Sequence, residues 1–126
     1  MMMRTRVLIA DDRPRSRDGL RALLTTSAWV EVVGEAVDGR QAIDMVAQVQ
    51  PDVVLMDVRM PVMDGLAAMR AIKERWPGIR VVILTLYGGH RADALAAGAD
   101  AFLVKGCSLN RLLRAIRGCQ EDGSVA

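Results

Sequence analysis

Val53-Val54-Leu55-Met56-Asp57-Val58-Arg59-Met60-Pro61-Val62-Met63-Asp64-Gly65 decides the fold. Its first four residues are apolar on both faces of an extended chain, which a strand tolerates only where helices cover both sides of a parallel sheet. The strand runs from Asp52 to Asp57, so a carboxylate stands at its carboxyl end. Asp64 is placed to accept from the free N–H groups of a helix that begins at Gly65 and runs to about Trp76, before Pro77-Gly78.

The same alternation extends in both directions. Thr5 to Ala10 reads as a first strand, followed by a helix over about Arg15 to Leu24 with Leu20, Leu23 and Leu24 on one face. Val30 to Val37 is a second strand stopped by the turn pair Asp38-Gly39, and Gln41 to Val49 a helix ended by Pro51. Downstream lie a fourth strand (Arg80 to Thr85), a short helix (Ala92 to Ala97) and a fifth strand (Asp100 to Val104). A closing helix shows one face through Leu109, Leu112, Leu113 and Ile116. Five βα units imply a doubly wound α/β domain, a five-stranded parallel sheet with helices on both faces. Residues 1–120 form this domain, and 121–126 a frayed tail or the start of a linker.

Composition excludes several classes. The 126 residues make one ordinary domain, and 52% are hydrophobic, enough for a core without staples. No apolar run approaches a membrane span and none near Met1 resembles a signal peptide, so a soluble, cytoplasmic protein is expected. A net charge of +2 from scattered basic residues argues against nucleic-acid binding by this segment. Cys107 and Cys119, if both on the closing helix, stand roughly 18 Å apart along its axis, too far to bridge. Free thiols suit a reducing compartment.

In open parallel sheets ligands bind beyond the carboxyl ends of the strands. There the sequence puts Asp11-Asp12, Asp57, Thr85 and Lys105. Three clustered carboxylates repel one another unless a cation or protons intervene, and hard oxygen donors suit Mg²⁺, which keeps waters and accepts a substrate phosphate. A carboxylate beside such an ion can attack phosphorus and form an aspartyl phosphate. Lys105, one of two lysines among seventeen basic residues, is a compact charge able to pair with Asp57 and then with a phosphoryl oxygen. Taken singly, each of these residues is more often a cap, a satisfied strand-end hydroxyl or a solvated charge. Their coincidence at four strand ends is what carries the chemistry.

Along nearly its whole length the chain resembles the receiver domains of two-component response regulators. Asp11-Asp12 matches the acidic pair, Val53 to Gly65 the phosphoacceptor strand and its Met-Pro-x-Met-Asp-Gly loop, Leu84-Thr85 the switch hydroxyl, and Ala97 to Lys105 the segment ending in the lysine. The resemblance implies strand order 2-1-3-4-5, with Asp57 as phosphoacceptor. It implies Mg²⁺ held by Asp12, Asp57 and the backbone carbonyl of Arg59, with Asp11 acting directly or through water. Thr85 and Lys105 would hold phosphoryl oxygens, and Phe102 occupies the switch-aromatic position without the hydroxyl that Tyr supplies in many members. Arg59 and Tyr87 would flank the path of hydrolytic water. It also implies a sensor histidine kinase as partner and no catalysis beyond self-phosphorylation from a phosphohistidine.

Three departures stand out. Thr85 and Lys105 are two residues closer than in many relatives, so the intervening helix should be short and Tyr87-Gly88-Gly89 a candidate mobile loop. Gly106 stands where proline is common. The style of Asp18 to Leu24 resembles receivers that precede a C-terminal helix-turn-helix, so the chain is either free-standing or the receiver part of a longer protein with a DNA-binding output domain. Leucines on the first and fifth helices suggest a weak homodimer. The rival readings are a flavodoxin-like cofactor domain, whose phosphate Asp11-Asp12 would repel, an aspartyl phosphatase, whose Asp-x-Asp pair is missing at Asp57-Val58-Arg59, and a non-phosphorylating receiver-like docking module.

Overall fold

The computed structural model describes residues 4–118. Five strands, β1 (Thr5–Ala10), β2 (Val30–Ala36), β3 (Val53–Met56), β4 (Arg80–Thr85) and β5 (Ala101–Val104), form one parallel sheet in the order β2-β1-β3-β4-β5. The helices between and after them are α1 (Pro14–Leu24), α2 (Gly39–Val49), α3 (Gly65–Arg75), α4 (Arg91–Ala96) and α5 (Leu109–Arg117). The doubly wound fold expected from the sequence is the fold observed.

Strand alternation divides the core in two. Val54 and Met56 of β3 face α2, α3 and α4, where they meet Val46, Met69, Ile72 and Ala94. Val53 and Leu55 face α1 and α5, meeting Leu24, Leu112 and Ile116. Each such fully buried aliphatic side chain contributes about 1.5–3 kcal/mol.

Helix ends follow local chemistry. Asp64 caps α3 through the Ala67 N–H at 2.8 Å, as expected. Asp38 does the same for α2 through Gln41, so Asp38-Gly39 is a helix start rather than a free turn, and β2 ends one residue early at Ala36. Gln50 closes α2 at φ 46, ahead of Pro51. Pro14 occupies the first turn of α1, where its missing N–H costs nothing.

Other departures are small. Leu20 and Leu24 share the inward stripe of α1, while Leu23 lies at its margin, 37% exposed. A single 3₁₀ turn, Gly88–His90, leads into α4, which is six residues long, as short as the spacing from Thr85 to Lys105 implied. Edge strand β2 carries an irregularity where Leu8 pairs with Gly34 rather than Val33; such bulges twist an edge away from further pairing. Cys107 lies in the turn before α5, and Cys119 and residues 121–126 fall outside the described residues.

Candidate functional site

Strand register builds the site. Ala10 is level with Met56, Met56 with Ile83, and Thr85 with Val104. The ladder continues one step beyond: Asp57 N–H donates to the Ala10 carbonyl at 2.9 Å, Asp11 N–H to the Ala36 carbonyl at 3.0 Å, and Lys105 N–H to the Thr85 carbonyl at 2.7 Å. The residue after each strand end is thereby held as firmly as the strand. Asp11, Asp57 and Thr85 are only 1%, 7% and 1% exposed, the buried polar residues of the described chain.

Lys105 bridges the carboxylates. Its Nζ donates to Asp11 Oδ2 at 2.6 Å and to Asp57 Oδ2 at 2.9 Å. Asp57 Oδ1 accepts from the Val58 N–H at 2.7 Å. Asp11 also accepts from the Arg13 N–H at 2.9 Å and the Ser16 hydroxyl at 2.5 Å. Burial works to raise the Asp11 pKa, but the hydrogen bonds from Lys105, Ser16 and Arg13 together with the Lys105 charge outweigh it and hold the carboxyl below its ordinary range. Burial likewise works against the Lys105 ammonium, and its two carboxylate partners reverse that, raising its pKa.

Oxygen atoms of Asp11, Asp12 and Asp57 lie within 4.8 Å of one another. Three carboxylates against one ammonium leave local negative charge, and an all-oxygen donor set suits a hard divalent cation. Beside them is a cavity of about 110 Å³ lined by Asp12, Asp57, Thr85, Arg59 and Tyr87, among others, roughly the space of three to four waters. The Arg59 guanidinium carbon sits 5.0 Å from the centre of the Tyr87 ring. A wider groove along the start of α1, lined by Pro14, Leu86 and Lys105 among others, adjoins it through Asp12 and Arg13.

Of the residues singled out in the sequence, Asp12, Asp57, Arg59, Thr85 and Tyr87 line this cavity, and Lys105 and Asp11 join it through the Lys105 contact to Asp57. Phe102 does not. It is buried in the core beneath α4, with the Arg91 guanidinium 5.8 Å from its ring centre. Ser16 and Arg13, which hold Asp11, are not evident from the sequence, and neither is Arg17, whose Nη1 donates to the Asp11 carbonyl at 2.7 Å while Nε donates to Glu35 at 3.0 Å. The signal available was weak: a serine and an arginine one helical turn past an acidic pair.

The response regulator receiver domain family matches residues 7–117. The chain is 36% identical over 125 residues to the response regulator protein VraR of Staphylococcus saprophyticus, covering 98% of this chain and 60% of that one. It spans between half and three-fifths of several curated relatives of this kind. Among solved structures, the signal receiver domain of NarL from Mycobacterium tuberculosis matches with TM-score 0.86 and 34% identity over 93% of this chain and 96% of that one. A chain of the CheX-CheY-BeF₃-Mg²⁺ complex from Borrelia burgdorferi matches with TM-score 0.83 and 27% identity over 90% and 87%. No helix among the described residues is long and apolar enough to cross a membrane. With the sheet order, the strand-end carboxylates and these matches in agreement, the chain belongs to the receiver domains of two-component response regulators.

Proposed function

We propose that this receiver domain takes a phosphoryl group from the phosphohistidine of a sensor kinase onto Asp57 and changes conformation in response. The observation that carries the reading is Lys105, held between Asp11 and Asp57, while Asp57 itself lines a cavity together with Asp12 and Thr85. A carboxylate oxygen of Asp57 attacks phosphorus, the phosphorus–nitrogen bond to the donor imidazole breaks, and its electron pair returns to the ring nitrogen, which is then protonated. Asp12, Asp57 and the Arg59 carbonyl would hold Mg²⁺, with Asp11 acting directly or through water. Bound there, the ion supplies charge neutralisation for the transferring phosphoryl.

Lys105 keeps Asp11 as a partner and moves its second contact from Asp57 to a phosphoryl oxygen. The Thr85 hydroxyl, for which the described residues record no hydrogen-bond partner, supplies another. Because the Lys105 N–H is bonded to the Thr85 carbonyl, movement of either strand end is felt by the other. The α4–β5–α5 face would then shift, and Phe102 with it. That the chain spans about half of relatives named transcriptional regulatory proteins supports a DNA-binding output domain as its partner. Leu23, exposed on α1, supports weak homodimerisation through α1 and α5, which share one face of the sheet; sedimentation that shows only monomer with and without phosphoryl would remove that part. The receiver-like docking module is disfavoured because the acidic, hydroxyl and ammonium groups all converge. Intact-mass measurement after treatment with a small phosphodonor and Mg²⁺ tests the reading: one added phosphoryl in the wild type and none in Asp57→Ala.

A further inference from the structure

Residues 58–64 link Asp57 to α3 and include Arg59, whose carbonyl the reading above assigns to the cation. The loop has one backbone hydrogen bond of its own, from the Met63 N–H to the Pro61 carbonyl at 2.7 Å, which turns the chain about Val62. Val62, exposed at its tip, stands at φ 68, a left-handed conformation that β-branched residues rarely adopt. Anchors on either side fix where that turn sits.

One anchor is α3, whose Gly65 N–H donates to the Val58 carbonyl at 2.7 Å. The other comes from α2. Gly39, buried at the first position of that helix, donates its N–H to the Met63 carbonyl at 2.9 Å. A Cβ at residue 39 would lie 2.4 Å from that oxygen and 3.0 Å from the Asp64 carbonyl oxygen. Both obstacles are backbone atoms, which cannot swing aside as a side-chain tip can. Gly39 is not among the residues with positive φ, so the requirement is for space rather than for glycine's conformational range. The start of α2 is fixed in turn: Asp38 accepts from the Gln41 N–H at 2.8 Å, and the Gln41 side chain accepts from the Val37 N–H at 3.0 Å.

We propose that Gly39 is a positioning residue for the cation site, a backbone clamp through which α2 sets the loop that carries the Arg59 carbonyl. The inference rests on the Mg²⁺ role assigned above. A Cβ at this position pushes the loop away from α2 and moves an oxygen donor out of place, while Asp57 stays anchored by its own ladder bond to Ala10. Outer-shell changes of this kind weaken metal affinity by about ten-fold or more.

The test is a Mg²⁺ titration of the unphosphorylated chain, read from the amide signals of Asp57 and Val58, on the wild type, Gly39→Ala and Gln41→Ala, with thermal unfolding of each. Gly39→Ala should raise the Mg²⁺ dissociation constant about ten-fold. Gln41→Ala, which loosens the helix start without inserting an atom into the contact, should raise it by a smaller factor in the same direction. A merely structural glycine would lower the unfolding temperature and leave the constant of the folded protein unchanged, and that result overturns the clamp. If Gly39→Ala does not fold, Gln41→Ala decides: an unchanged constant overturns the proposal. Wild type that shows no Mg²⁺-dependent shifts overturns the cation reading itself, a different failure from a wild type and variants that bind alike.

Discussion

The Arg59 guanidinium carbon lies 5.0 Å from the centre of the Tyr87 ring, so two large side chains from different loops meet across the mouth of the Asp57 cavity. Hydrolysis of an aspartyl phosphate needs a water in line with the bond to Asp57, and we propose that this pair flanks its approach. A cation–π contact of this kind is worth about 1 kcal/mol, which corresponds to roughly five-fold in a rate if it must open first. Arg59→Asn and Tyr87→Ala should each speed loss of the phosphoryl group by about that factor. Dephosphorylation rates that match the wild type in both variants would contradict the shielding role.

Lys105→Met should be costly in a pH-dependent way. It leaves Asp11 and Asp57 buried without their shared ammonium, and breaking such a pair costs about 3 kcal/mol. The Asp11 pKa is lowered because the contacts from Lys105, Ser16 and Arg13 outweigh burial, so the stability from this group is present above its ordinary pKa and fades as pH falls through the lowered value. The difference between variant and wild type should therefore be largest near pH 7 and shrink in acid. Urea denaturation at several pH values checks this, and Mg²⁺ should recover part of the loss.

A second linkage lies one residue out from the site, joined to it by Arg17. Glu35 accepts from Arg21 at 2.6 Å and Arg17 at 3.0 Å. The Arg21 hydrogen bond leads in lowering its pKa against the effect of burial, with Arg17 adding to it. The stabilisation is complete above the ordinary carboxyl pKa of 4.5 and is lost as pH drops through the lowered folded value. Because these groups are partly solvated, Glu35→Gln should cost only about 0.5–1 kcal/mol at pH 7. It should cost almost nothing in strong acid. A cost independent of pH would point to packing instead of charge.

Val62 offers a gain. It is 83% exposed, so its side chain buries little, yet it holds φ 68. A left-handed conformation costs an L-residue about 1–2 kcal/mol. Val62→Gly should stabilise the protein by somewhat less, about 0.5–1 kcal/mol, since glycine gives back part of the gain as unfolded-chain entropy. The denaturation midpoint is the readout, and a fall in stability would show that Val62 makes contacts that matter.

The sheet was legible because Val53 to Met56 and Arg80 to Thr85 are short, apolar on both faces and followed by turn residues, a pattern with few structural solutions. The strand-end site followed from that, since register alone brings Asp11, Asp57, Thr85 and Lys105 together. The Asp38-Gly39 pair is ambiguous in sequence because an Asp-Gly dipeptide serves equally as a turn or as a cap with a small first helical residue, the use found here. Which use wins depends on Met63, 24 positions from Gly39 in the chain. The exposed margin position of Leu23 and the contacts of Ser16 and Arg17 depend likewise on neighbours brought by tertiary packing. Phe102, which the resemblance puts at the switch-aromatic position, has its ring buried beneath α4.

The most direct measurement is to locate the phosphoryl group. Chain phosphorylated by a small phosphodonor in Mg²⁺ is reduced with borohydride, which converts an aspartyl phosphate to homoserine, then digested and sequenced by mass spectrometry. Homoserine is expected at position 57 alone, dependent on Mg²⁺ and lost in excess chelator. Homoserine at Asp11 or Asp12, or none at Asp57 under conditions where the chain is folded and the ion is present, would contradict it.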